Sequence, residues 1–325
     1  MSDPLRSIRI GTMIQATGGQ AAERIAELAG AGFESFEPFF WQATNGQDLA
    51  ELGKRCLDAI GDRDIAITTL GMFGNPLEGG DMDLQALQGW RDCIDNARHF
   101  GATCVAGFTG RLRGRPIPDS LPRFREVWGD LAKRAADNGV RIAFENCAMD
   151  GNWATGDWNI AHTPDAWELI FDALPDDNLG LEWEPCHQLV YLIDPLPQIR
   201  KWGPKFFHVH GKDATLRWEV IREHGVFGRE PFAWMRTPGF GDSNWTDIIS
   251  ELRLVGYRGS IDIEGWHDPV YRDELEMTGQ MAALRHLKRA RGGNAFVPGT
   301  GQYEGGDPLI ARDRPGQRPN WEEKA

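Results

Sequence analysis

The chain of 325 residues has no cysteine pairs at redox or metal-ribbon spacing: Cys56, Cys93, Cys104, Cys147 and Cys186 are odd in number and scattered. That excludes a disulfide framework and fits the reduced thiols of a cytoplasmic protein. No apolar run approaches the ~20 residues of a membrane span, and the opening Met1-Ser-Asp-Pro-Leu5 has no apolar leader segment. The expectation is therefore a cytoplasmic protein without a membrane partner. Positive charge is scarce as well, with 35 Lys and Arg against 48 Asp and Glu and a net charge of -13. Affinity for nucleic acid by phosphate neutralisation needs the opposite balance, so no nucleic-acid partner is expected. Three catalytic templates are missing: a GxSxG elbow, a GxxxxGK[ST] phosphate loop and an HExxH helix.

What is present is a regular alternation. Hydrophobic residues make up 41% of the chain, enough for a sizeable core. Short apolar runs at Ile8–Ile14, Ser35–Trp41, Ile65–Phe73, Cys104–Gly110, Arg141–Cys147, Leu179–Glu184, Phe206–His210 and Ser260–Gly265 read as strands, each followed by a helical candidate. Eight such units in this length predict an α/β protein, a (β/α)8 TIM barrel, in preference to an open doubly wound sheet. Thr163-Pro164-Asp165 predicts the start of the fifth helix, with a cap, a proline in the first turn and an acid for the positive helix end. Ser243 or Asp242 is the expected cap for Trp245–Val255, with Gly256 as its stop.

Two βα connections are long, Met149–His162 and Gly211–Asp242, and both carry aromatics and follow the strand ends where barrel sites lie. The division is residues 1–292 as a barrel domain and 293–325 as an irregular C-terminal extension rich in Gly, Pro and charge. Phe296, Tyr303, Leu309, Ile310 and Trp321 give that extension anchors for its own barrel or for a second copy, so a homo-oligomer is one expectation.

Four strand ends carry metal-binding side chains: Glu145, Glu184, His210 and Glu264. In a closed parallel barrel such ends converge on one mouth. Three carboxylates and one imidazole suit a single hard divalent ion, Mn2+, Mg2+ or Co2+, better than a structural zinc. Such an ion polarises a carbonyl and favours an enediolate, and Glu145 and Glu264 are placed to move the proton on opposite faces. Glu184 and His210 would mainly hold the ion. His187 is a candidate substrate contact, as are Arg217 and Trp153 from the long loops. His208, two residues before His210, is either a supporting group or an interior polar residue and stays among those candidates. Glu182 stands in the same relation to Glu184 and has no partner that the sequence identifies. Lys212-Asp213 reads as a local salt bridge, and Asn75 as a turn residue.

At Phe144-Glu145-Asn146, Glu184-Pro-Cys-His187, Phe207-His-Val-His210-Gly-Lys-Asp213, Ile263-Glu264 and the Pro-Gly-x-Gly-x-x-x-Trp stretch ending at Trp245, the chain resembles the xylose isomerase-like superfamily, also called the sugar phosphate isomerase/epimerase family. The resemblance spans roughly Ile8 to Arg289. It implies a ketose 3-epimerase-like site with Glu145, Glu184, His210 and Glu264 on one metal, commonly manganese with zinc an alternative, and His187 on the substrate. The chain departs from the family at Glu184, where Asp is usual. The implied activity is a metal-dependent sugar isomerase or epimerase on a small carbohydrate, and the alternative is a metal-dependent lyase or dehydratase on a keto sugar, inosose or 3-keto glycoside. A zinc phosphodiesterase of the family would need histidines that Phe39-Phe-Trp41 and Leu70-Gly-Met-Phe73 lack.

Overall fold

The computed structural model describes residues 4–293. The proposed extension, except its first residue, lies outside the described residues. Strands β1 (Ile8–Gln15), β2 (Ser35–Trp41), β3 (Ala66–Ile67), β4 (Thr69–Phe73), β5 (Cys104–Gly107), β6 (Arg141–Glu145), β7 (Leu179–Trp183) and β8 (Phe206–Gly211) follow in order. A hairpin of β9 (Asp213–Leu216) and β10 (Ala233–Arg236) precedes β11 (Gly259–Ile263). All pairings in the main sheet are parallel. Its order β1-β11-β8-β7-β6-β5-β4-β2, with β1 also pairing β2, closes a TIM barrel of eight staves. The third stave begins as the two-residue β3 and is broken at Thr68, so it is shorter than the sequence pattern implies.

The helices are α1 (Ala21–Leu28), α2 (Leu49–Ile60), α3 (Asp81–Phe100), α4 (Leu121–Asp137), α5 (Pro164–Ala173), α6 (Pro185–Leu189), α7 (Pro195–Trp202), α8 (Trp218–His224), α9 (Trp245–Leu254) and α10 (Glu276–Arg291). Thr163 does cap α5, its hydroxyl accepting the Ala166 N–H at 3.4 Å. At α9 the cap is Asn244, which accepts the Asp247 N–H at 3.2 Å. The expected alternatives are used elsewhere: the Ser243 N–H donates to Asp213, and Asp242 accepts the Leu216 N–H.

The main core lies between staves and helices. Trp128 is its hub, edge-on to Trp90 and to Phe144 with centroids 4.7 Å away in each pair. Its indole N–H donates to the Thr109 carbonyl at 2.8 Å, so the ring is buried with its polar atom satisfied. Inside the barrel, space is made for polar groups. A Cβ at Gly11 would lie 2.1 Å from Asp262 Oδ1 and 2.2 Å from the Ser35 carbonyl, so only glycine fits there. The five cysteines are all free and buried. Among the described residues no helix is long and apolar enough to cross a membrane.

Candidate metal and proton-transfer site

Glu145 closes β6, Glu184 follows β7 as the residue before α6, His210 lies near the end of β8 and Glu264 follows β11. One donor atom from each lies within 4.8 Å of the others, and all four residues are buried. The backbone under the two glutamates on β6 and β7 is clamped. Asn146 donates to the Glu184 carbonyl at 3.0 Å and accepts the Glu184 N–H at 2.8 Å. Asn159 donates to the carbonyls of Glu145 and Cys147 at 2.8 and 2.7 Å. The extra methylene of Glu184 therefore extends from a fixed strand end.

The donor set suits an ion. Burial should deter carboxylates from standing without partners, yet both oxygens of Glu184 and Oε2 of Glu264 accept no hydrogen bond. Glu184 Oε1 does lie 2.8 Å from His187 Nε2, close enough for charge attraction but not aligned as a hydrogen bond. Glu264 Oε1 accepts from Lys212 Nζ at 2.8 Å and lies 2.8 Å from His267 Nε2. Although burial opposes it, the Lys212 and His267 charges hold the Glu264 carboxyl well below its ordinary range. At Glu145, burial and the negative Glu184 and Glu264 outweigh the His210 contact and push its carboxyl up. The two flanking carboxylates thus differ in proton affinity, the arrangement that assigns acid and base in many enzymes.

A second polar layer lies deeper. His210 Nδ1 is 3.1 Å from Glu145 Oε1, while its Nε2 lies 3.0 Å from both Glu37 Oε2 and Glu182 Oε1. Glu182 therefore has the partner that the sequence could not identify. Glu37 Oε2 also meets His208 Nε2 at 3.0 Å, and His208 Nδ1 meets Thr69 Oγ1 at 3.1 Å. Burial and the charges of Glu37 and Glu145 raise Glu182 well above its usual range, with His210 opposing. Glu37 is held below it by His208 and His210 against its own burial. Glu37, Glu182, His208 and His210 also form a close set of donor atoms.

Above these layers a cavity of about 1120 Å³ opens at the C-terminal ends of the staves. Glu145, Glu264, His187 and Lys212 line it. His208 is placed beneath the mouth with no exposure and does not line it. Arg217 stands outside it, donating to the Pro231 carbonyl and lying 4.8 Å over the Trp234 ring. Trp153 also stands apart, 43% exposed, its carbonyl accepting the Ile117 N–H. Asn75 is turned into the loops, donating to the carbonyls of Arg111 and Asp157.

Lys212 and Asp213 are not a pair. Lys212 turns to Glu264, whereas Asp213 accepts from the N–H groups of Ala214 and Ser243 and the Trp245 indole. No strand-end pattern in the sequence marks Glu37, Lys212 or His267 as site residues. A lone carboxylate inside the apolar run Ser35–Trp41 was the available signal for Glu37.

The profile of the family described as xylose isomerase-like TIM barrel matches residues 25–289. The uncharacterized protein YfiH of Bacillus subtilis (strain 168) is 23% identical over 251 residues, 66% of this chain and 76% of its own length. The structure of an L-ribulose 3-epimerase superposes with a TM-score of 0.61 at 19% identity, covering 87% of this chain and 92% of that one. The apo 3-keto-D-glucoside 4-epimerase of E. coli gives a TM-score of 0.63 at 16% identity, covering 87% and 99%. At such identities the two structures speak for the fold, and the family match carries the assignment. With its closed barrel and a profile match over most of its length, the chain belongs to the xylose isomerase-like TIM barrel family.

Proposed function

We propose that this protein is a metal-dependent carbohydrate isomerase or epimerase that moves a proton at a carbon beside a carbonyl. The observation that carries the reading is the convergence of Glu145, Glu184, His210 and Glu264 within 4.8 Å, with buried oxygens on Glu184 and Glu264 that accept no hydrogen bond. Those four residues would hold one divalent ion, manganese first by its oxygen-rich set. When bound, such an ion polarises a substrate carbonyl and favours the enediolate. Glu264, kept ionised by Lys212 and His267, is the proton acceptor. Glu145, whose carboxyl has the higher proton affinity, donates on the other face. His187 and Lys212 contact substrate oxygens from the cavity wall.

The test is deuterium incorporation from solvent into keto sugars by the manganese-loaded protein. Glu264→Gln is expected to slow that exchange by roughly 10²–10⁴-fold, the range for losing a general base. Full exchange in the variant, or in protein stripped of metal, would sink the reading.

A lyase reading is favoured by one feature. Lys212 Nζ lies 2.8 Å from Glu264 Oε1, so a proton-bearing ammonium stands beside the base, with His187 Nε2 3.5 Å from that ammonium. An elimination uses such a group to protonate its leaving oxygen. Proton NMR of products separates the two, because elimination yields an unsaturated product and free leaving group, and epimerisation yields neither.

A further inference from the structure

We propose that the substrate is a sugar joined to a flat apolar group, with the sugar at the carboxylates and the apolar group against the opposite side of the mouth. The inference rests on the carbohydrate reading above and narrows its substrate class.

The mouth is divided by chemistry. Glu145, Glu264, His187 and Lys212 occupy the part formed by the ends of β6, β7, β8 and β11. Facing them are Met13, Phe39, Phe73 and Phe108, from β1, β2, β4 and the residue after β5. With Cys147 these four make a buried cluster of their own, separate from the main core. Phe73 and Phe108 meet edge to face at 5.3 Å, and Trp266 stacks on Phe39 at 5.4 Å. Trp41, 39% exposed, continues the array to the rim, 6.3 Å from Phe108. At its inner end the Phe73 ring is 6.2 Å from the His210 ring, so the apolar wall starts beside the carboxylates.

Two quantities decide what fits. The cavity of about 1120 Å³ is above the ~300–1,000 Å³ of pockets for drug-sized ligands, so a single sugar ring leaves much of it open. The rings themselves offer no partner: Met13, Phe39, Phe73 and Phe108 have no side-chain N–H, O–H or oxygen, and the polar groups of this half, Gln15, Gln20 and Arg24, come only from the end of β1 and the start of α1. A hydroxyl pressed onto such rings loses its water and gains no hydrogen bond in exchange. A second sugar unit would place several hydroxyls there. A planar apolar ring places none, and the edge-to-face array presents the geometry that aromatic groups favour.

The experiment is calorimetric titration of the full-length, manganese-loaded protein with unreactive methyl and phenyl glucosides and galactosides, both anomers, and with cellobiose. At least one phenyl glycoside is expected to bind about tenfold tighter than its methyl counterpart, from the apolar area it buries. Trp41→Ala and Phe108→Leu should each reduce that ratio severalfold while manganese stoichiometry stays as in the parent. Equal binding of phenyl and methyl glycosides, a preference for cellobiose, or no binding by any of them would overturn the proposal. Failure of deuterium exchange with the phenyl preference intact would instead count against the reaction and leave the substrate class standing.

Discussion

His210 has two ring nitrogens in two neighbourhoods, and a neutral imidazole carries a proton on one of them only. For Nδ1 to hold an ion beside Glu145, Nε2 must keep the proton, and Glu37 Oε2 at 3.0 Å is placed to accept it. Glu37→Gln removes that charged acceptor with little change in shape. Manganese affinity, measured by competition with a chelator, is expected to fall about 10–100-fold; unchanged affinity would remove Glu37 from the site. The four strand-end residues were legible because each closes an apolar run, a local pattern. Glu37 was not, because its meaning depends on His208 and His210, more than 170 positions away. Lys212 and Asp213 misled for the opposite reason, since adjacency in sequence suggested a pair that the end of β8 separates.

Among the elements, all eight staves stand where the apolar runs placed them, and the pattern failed where pairing is not periodic. The hairpin of β9 and β10 reads in sequence as loop, since its short strands are only half buried and mixed in polarity. The connection from Met149 to His162 shows how a long loop is held. Arg111 donates to the carbonyls of Asn152 and Trp153 near its start, and His162 at its end is buried and stacked on Tyr191 at 5.7 Å. Burial, then the charges of Arg111 and His187, push the His162 pKa down from 6.5 to about 4. Above pH 6.5 the imidazole is neutral in both folded and unfolded chains. As pH falls from there toward 4 the unfolded chain takes the proton first, so stability drops over that window. The loss by pH 4.5 is expected to be roughly 2–3 kcal/mol. Urea midpoints at pH 7 and 4.5 check it, and His162→Leu should lose this part of the pH dependence.

For the whole molecule, closure depends on more than strand pairing. Arg291, the last residue of α10, donates through Nη1 to the Ile8 carbonyl and through both terminal nitrogens to the Glu34 carboxylate, binding α10 to the start of the barrel. Lys288 Nζ adds an ion pair to Glu34 at 3.2 Å. Burial alone would raise the Glu34 pKa, but Arg291, the Ile10 N–H and Lys288 bring it below its usual range. The stabilisation is therefore complete above the ordinary carboxylate value near ~4.3 and fades as pH falls through the lower folded value. Glu34→Gln leaves Arg291 buried without its counter-charge and is expected to cost about 3–5 kcal/mol in urea unfolding. A loss under about 1 kcal/mol would mean that strand pairing alone closes the barrel.

The two chemistries of the mouth also divide along the chain. Met13, Phe39, Phe73 and Phe108 precede α4, whereas Glu145, Glu184, His187, His210, Lys212 and Glu264 follow it. Glu37 and Trp266 cross that boundary, one reaching His210 and the other lying on Phe39. A genetic crossover within α4 between this gene and a relative would exchange the apolar wall and leave the clustered carboxylates, histidines and lysine of one parent together. On the proposed function, substrate range and reaction type would then be inherited separately, provided the donor of the first half brings a carboxylate to the position of Glu37.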